Sequence, residues 1–309
     1  MKKWTNLLFA AIATIVLAAC SMESSFISDE ENKGSGADNE GNMKIGFSVS
    51  TLNNPFFVTL SEAAKEKAAE EGASISVVDA QDDASKQASD VEDLIQQGVD
   101  LIVINPVDSA SVVTAVESAN NANIPVITVD RTAEGGEVVT HIASDNAAGG
   151  RLAGEYLLTL VDEGAQVAML EGVAGSSAAR DRGEGFIEAV EGKLDIVTSQ
   201  TANFDRSEGL TVMENIMQAH PDIQAVFAQN DEMALGALEA ISSFNKNIAV
   251  IGFDATDDAV AKVQAGDMAA TVAQQPQLIG EKAIEAAISH LNGETVDADI
   301  PVELKLVNE

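Results

Sequence analysis

Cysteine is almost absent from this 309-residue chain, and Cys20 is the only one. No intramolecular disulfide can form, and zinc sites built on paired cysteines are excluded. Histidine is nearly as scarce. His141, His220 and His290 lie far apart without partners at metal-ligand spacing, so each reads as a surface or loop residue and no metal is expected. Positive charge is short too: 17 Lys and Arg stand against 50 Asp and Glu, a formal net charge of −33. A surface that acidic repels phosphate backbones, so nucleic acid is not an expected partner. Nor is the body expected to lie on an anionic membrane face. No GxGxxG opens a helix after the first strand, and there is no P-loop and no GxSxG elbow, which leaves no sign of a cofactor. Asp130 and Asp254 are a conceivable acid–base pair, but no catalytic signature accompanies them, and the chain is not expected to be an enzyme.

Long apolar runs are missing as well, with one short exception. Lys2 and Lys3 precede a nearly continuous apolar stretch from Leu7 to Ala19, shorter than the ~20 residues a membrane-spanning helix needs. This pattern reads as an export signal over residues 1–19. It ends in Leu17-Ala18-Ala19-Cys20, which resembles the lipobox of bacterial lipoproteins and implies lipid attachment to Cys20. Residues 20–42 are acidic and rich in Gly and Ser, too polar to offset the entropy of ordering, and read as a flexible tether.

What remains is a body with ordinary proportions, 46% hydrophobic and 22% charged over the whole chain, enough for a sizeable core. Short apolar runs alternate with helical spacing throughout. Strands are expected at Ile45–Val49, Ile75–Val78, Leu101–Ile104, Val126–Val129 and Val138–Ile142, with helices from Pro55, near Ala84–Gln97 and near Ser109–Asn121. The alternation then restarts. Strands fall at Val167–Leu170, Ile196–Val197, Ala225–Phe227, Ile248–Ile251, Ala270–Ala273 and, last, Val302–Leu306. Between them lie helices near Ala147–Val161, Ser177–Val190, Arg206–Ala219, Glu232–Ser242, Thr256–Gln264 and Leu278–Leu291. Strands and helices alternating in this way imply parallel sheets covered on both faces, and two such series imply two similar α/β lobes.

Ligands of open α/β sheets bind beyond the C-terminal ends of the strands. The residues there are Asn53, Asn54, Phe56, Phe57, Asn105, Asp130 and Arg131 in the first series. In the second they are Glu171, Phe204, Asp205, Gln229, Asn230, Asp231, Asp254, Gln274 and Gln275. Taken singly, Asn54, Asn230 and Asp205 are ordinary helix caps, Asp130 and Asp254 ordinary turn residues, and the phenylalanines ordinary core. Together, amides, carboxylates and an arginine offer paired donors and acceptors for vicinal hydroxyls, and aromatic faces suit C–H groups. That combination fits a small neutral polyol such as a sugar.

At these residues the sequence closely resembles the bacterial D-ribose-binding proteins of ABC transporters. The stretches are STLNNPFFVTL (50–60), ANIPVITVDR (122–131), HIASDNAAGG (141–150), GSSAARDRGEGF (175–186), AHPDIQAVFAQNDEMALGAL (219–238) and VIGFDATDD (250–258), and similarity runs from Lys44 to Val307. The resemblance implies two Rossmann-like lobes with parallel sheets joined by a three-crossing hinge. They would comprise 44–144 plus 275–303 and 145–274 plus 304–309, with crossings near Ser144, Gln274 and Glu303. It also implies sugar contacts from Asn54, Phe56, Phe57, Asn105, Asp130, Arg131, Arg182, Phe204, Asn230, Asp254 and Gln274; Arg182 is supplied by the resemblance alone. The expected ligand is D-ribose and the expected partner an ABC permease. A monomer is expected, anchored outside the cytoplasm through lipid on Cys20. The alternative is a receptor for another small polyol, such as allose or a furanosyl signalling molecule. The shared two-lobed core of sugar-responsive repressors does not fit, because an export signal stands where their DNA-binding domain would be.

Overall fold

The computed structural model describes residues 43–308. The expected signal (1–19), Cys20 and the tether (20–42) lie outside the described residues, as does Glu309. In the first series come β1 (Lys44–Val49), α1 (Pro55–Glu70), β2 (Ser74–Asp79), α2 (Ala84–Gln96), β3 (Leu101–Ile104), α3 (Val113–Asn121), β4 (Val126–Val129) and β5 (Thr140–Ser144). The second series holds α4 (Asn146–Leu157), β6 (Gln166–Glu171), α5 (Ser177–Val190), β7 (Asp195–Thr201), α6 (Arg206–Ala219), β8 (Ala225–Ala228), α7 (Asp231–Ser243), β9 (Ala249–Asp254), α8 (Asp257–Ala265) and β10 (Ala270–Ala273). The chain closes with α9 (Pro276–Leu291), β11 (Asp299–Val302) and β12 (Lys305–Val307).

These strands form two six-stranded sheets, ordered β11-β5-β4-β3-β1-β2 and β12-β10-β9-β8-β6-β7. All pairings are parallel except β10 with β12. Central strands such as Leu101–Ile104 and Val126–Val129 are buried along their whole length, as expected where helices cover both faces of a parallel sheet. One face of the first sheet packs Phe47, Val49 and Ile127 on Leu60 and Ala64 of α1 and Ile279 and Ala283 of α9. The other face packs Ile102 and Val126 on Val91, Leu94 and Val116 from α2 and α3. Phe227 and Ile251 with Phe186, and Val226 and Val250 with Met213 and Ala237, build the corresponding layers of the second sheet.

Local chemistry starts the helices where the sequence suggests. The side chains of Asn54, Asp83, Asp145, Ser176, Asp205 and Asn230 each accept a backbone N–H of the turn that follows. Proline opens α1 and α9, where its missing N–H costs nothing. The chain passes between the sheets three times: after β5, between β10 and α9, and between β11 and β12.

Four expectations need correction. The final strand is not one segment from Val302 to Leu306 but two short strands split between the sheets, because the chain crosses at Glu303 and Leu304. The helix expected from Ser109 begins at Val113, since Ser109 N–H donates to the Gly175 carbonyl and Asp108 accepts the N–H groups of Ala110 and Ser111. β7 extends from Asp195 to Thr201 where only Ile196–Val197 was expected, because an edge strand can be polar and exposed without losing its ladder. His141 is not a loop residue: it sits half-buried in β5, its Nδ1 lies 2.9 Å from Thr128 Oγ1, and burial lowers its pKa.

Candidate functional site

The carboxyl ends of the two sheets face each other. Between them lies a narrow cavity with only about 10 Å³ of free volume. It is lined by Asn54, Phe56, Phe57, Asp130 and Arg131 from one side and by Ala178, Arg182, Phe204, Asn230, Asp254 and Gln274 from the other. All the expected contact residues except Asn105 are thus brought together. Asn105 sits one layer behind. Its Oδ1 accepts the Ser50 N–H (3.1 Å), and its Nδ2 donates to the Val129 carbonyl (3.2 Å) and to Asp130 Oδ2 (3.3 Å). Nothing in the sequence marks Ala178, a small apolar residue in the first turn of α5.

The two arginines are held by backbone carbonyls and one side-chain amide rather than by direct hydrogen bonds to carboxylates. Arg131 Nη1 donates to the Pro106 carbonyl (3.0 Å), and its guanidinium lies between the rings of Phe57 (5.2 Å) and Phe204 (5.3 Å). Arg182 Nη1 donates to the Gln229 carbonyl (2.7 Å) and Nε to Asn146 Oδ1 (2.8 Å), with the guanidinium 3.9 Å from the Phe253 ring centroid. Each arginine has an aspartate beside it: Asp130 Oδ2 is 3.5 Å from Arg131 Nε, and Asp254 Oδ1 is 3.9 Å from Arg182 Nη1. Burial lowers the pKa of both guanidinium groups, opposed by Asp130 and Asp254 respectively. Burial also pushes the Asp254 carboxyl well above the usual carboxylate range, against the pull of Arg182.

Capping and site duty coincide at Asn54 and Asn230. The Oδ1 of Asn54 accepts the Phe56 N–H (2.9 Å), so its Nδ2 stays available. Asn230 accepts the Met233 N–H (2.9 Å) and donates one Nδ2 hydrogen to the Phe204 carbonyl (3.1 Å), leaving the second. The caps fix both amides before any ligand arrives, which lowers the entropy lost on binding.

Two buried polar atoms of the lining lack any hydrogen-bond partner, Arg131 Nε and Gln274 Oε1. A buried, unsatisfied donor and acceptor at one cavity mark a place for a polar ligand. The backbone is unusual here as well: Asp130 (φ 63°), Phe204 (φ 62°) and Asp254 (φ 120°) all have positive φ. Such conformations persist only where their surroundings over-determine them. Gly172 serves Phe204 directly, because a Cβ there would enter its ring.

The remaining strand-end residues fall elsewhere. Asn53 and Asp205 border an outer opening with Asp82 and Arg206. Glu171 accepts the Ser199 hydroxyl at the sheet edge, and Gln275 donates to the Glu303 carbonyl at a crossing. Gln229 orients the Gly172 N–H (2.8 Å), and Asp231 lies behind Asp254. Along one rim the two halves touch: Ser109 N–H donates to the Gly175 carbonyl (2.9 Å), Thr132 N–H to Ser177 Oγ (2.9 Å), and Arg180 pairs with Glu134 (3.4 Å). Among the described residues no cluster of His, Cys, Asp and Glu is arranged for a metal ion, and no helix is long and apolar enough to cross a membrane.

Residues 45–295 match the model of the periplasmic binding protein domain. The ribose import binding protein of Bacillus subtilis (strain 168) is 53% identical over 306 residues, covering 99% of each chain. Its counterpart in Escherichia coli (strain K12) is also 53% identical, over 85% of this chain and 90% of its own. Among solved structures, an ABC transporter solute binding protein from Mycobacterium smegmatis, with bound glycerol, superposes with a TM-score of 0.84 at 38% identity. That superposition covers 87% of this chain and 94% of the other.

Proposed function

This chain belongs to the periplasmic binding protein family, and from that premise we propose that it captures D-ribose between its two lobes for an ABC importer. It is an extracytoplasmic receptor, not an enzyme: it binds its ligand and passes it unchanged to the permease. The observation that carries the reading is the pair of unsatisfied buried atoms, Arg131 Nε and Gln274 Oε1, in a cavity lined by further polar groups and phenylalanines. Relatives named for ribose import, at 53% identity over nearly the whole chain, support ribose as the polyol.

In this reading Asp130, Arg131, Arg182 and Asp254 make charge-assisted hydrogen bonds to the sugar oxygens. Asn54, Asn230 and Gln274 complete the donor–acceptor set, and Asn105 acts on or behind Asp130. Phe56, Phe57 and Phe204 cover the ring and exclude water. The lobes are 44–144 with 275–303 and 145–274 with 304–309, and they close as a hinge because the ligand contacts both. The three passages between the sheets support that division. The receptor is a monomer held at the outer face of the membrane by lipid on Cys20 after removal of residues 1–19, supported by the lipobox-like LAAC run.

Thermal unfolding of the full-length protein with a panel of pentoses and hexoses tests the ligand. Ribose at about 1,000 times its dissociation constant adds roughly 4 kcal/mol, on the order of 8–16 °C in midpoint for a body of this size. A flat ribose trace beside a shift from allose or another polyol would sink the ribose assignment.

A further inference from the structure

Asp231 is the first residue of α7, fully buried, and absent from the lining of the cavity. Among the described residues no lysine or arginine pairs with it. A buried carboxylate with no cation in contact is costly and calls for a specific use. Capping α7 is not that use, because Asn230 already accepts the Met233 N–H. The oxygens of Asp231 point at another segment instead. Oδ2 accepts the N–H (2.8 Å) and hydroxyl (3.2 Å) of Thr256, and Oδ1 accepts the hydroxyl of Thr271 (2.7 Å). Thr271 Oγ1 in turn accepts the N–H of Ala255 (3.2 Å).

Both N–H groups that follow Asp254 are therefore tied to one carboxylate, directly or through one hydroxyl. The tied backbone is the strained one, with Asp254 at φ 120° and Ala255 at φ 56°. Neither residue is a glycine that would adopt such angles freely, so the conformation has to be imposed from outside. The neighbouring strand is built around the same group: a Cβ on Gly252 would collide with Asp231 Oδ1. The outcome is the placement of the Asp254 side chain, which accepts Gln274 Nε2 at 2.8 Å and lies 3.9 Å from Arg182.

We propose that Asp231 is a positioning residue for sugar recognition, holding the Asp254–Ala255 turn through Thr256 and Thr271 so that Asp254 meets the ligand in a preset geometry. The proposal rests on the sugar-receptor reading above, and it adds a residue that meets no ligand itself. Burial pushes the Asp231 carboxyl up to about 7, while the hydrogen bonds from Thr271 and Thr256 oppose the shift. The carboxylate thus relies on those two threonines, as they rely on it.

The test is a double-mutant cycle on the full-length protein, with sugar affinity read by calorimetry and unliganded stability by thermal unfolding. Thr271→Val removes the hydroxyl and keeps the β-branched shape, and is expected to weaken binding by about 10–100-fold. Thr271→Ser returns the hydroxyl and restores affinity. Asp231→Asn gives a loss of similar size; should that variant fail to fold, Thr271→Val and its rescue still decide the matter. In an Asp254→Asn background, Thr271→Val changes affinity by less than about twofold, yet lowers the unliganded midpoint as much as it does in the wild type. Unchanged affinity in Thr271→Val would overturn the proposal, as would an undiminished loss in the Asp254→Asn background. The cycle uses whichever sugar the wild type binds, so wild-type indifference to ribose counts against the ribose assignment alone.

Discussion

Arg131→Ala is expected to weaken ribose binding by about 10²–10³-fold, with the unliganded protein still folded. The guanidinium lies within cation–π distance of both Phe57 (5.2 Å) and Phe204 (5.3 Å), which come from opposite sides of the cavity. Truncation removes both cation–π contacts. It also strands Asp130, 97% buried, whose carboxylate keeps only the Asn105 amide. Removing one partner of a buried charge pair costs roughly 3–5 kcal/mol, and the ligand that needs both groups feels that loss. Arg131→Lys keeps the charge but not the planar fork that donates to Pro106 and stacks on the rings, so it recovers only part of the affinity. Calorimetric titration of both variants decides the point. Ribose affinity within tenfold of wild type in Arg131→Ala would remove the residue from the site.

The largest loss of stability is expected from Gly150→Val. Gly150 lies in α4, and a Cβ on it would run into the carbonyl of Arg182 in α5. The arrangement is reciprocal, because a Cβ on Gly185 of α5 would meet the Ala147 carbonyl of α4. The two backbones are in direct contact, and no side-chain rotamer can relieve the intrusion. Overpacking of this kind costs about 3 kcal/mol or more, a fall of roughly 6–12 °C in the unliganded midpoint. Parting the helices also moves Arg182, whose Nε is held by Asn146 across that contact, so ribose affinity falls with stability. Gly192→Ala is the control: Gly192 has φ 70° but open space around it, and only local backbone strain of about 1–2 kcal/mol is expected. Equal midpoints for the two variants would show that the α4–α5 contact is not tight.

The alternation of strands and helices was readable because central parallel strands are apolar on both faces and leave short, unbroken hydrophobic runs. β7 is legible only at Ile196–Val197 for the opposite reason: it is an edge strand, mostly polar and exposed, and its ladder depends on β6 rather than on its own composition. The division of the last strand was equally hidden, since a change of sheet at Glu303 and Leu304 leaves no mark in hydrophobicity. The candidate site was legible where it stands at strand ends, as at Asn54, Asp130, Asn230 and Asp254. Arg182 escaped that rule because it sits inside α5 and reaches the cavity sideways. The capping and ligand readings of Asn54 and Asn230 looked exclusive on paper. The geometry makes them compatible, because a cap uses only part of an amide. Asp231 was visible as a strand-end carboxylate, but its ties to Thr256 and Thr271 join residues 25 and 40 positions away.

If this cavity pairs the hydroxyls of ribose one by one, calorimetric titration with D-ribose, D-arabinose and 2-deoxy-D-ribose will separate the three sugars. D-arabinose inverts the hydroxyl at C2, and 2-deoxy-D-ribose lacks it. A site built to bond a hydroxyl is left with unpaired buried groups by either analogue, and rejects it by at least about 10²-fold. One ribose per chain is expected, bound at least that much more tightly than the other two sugars. Equal affinity for all three, or no heat with ribose, would contradict it.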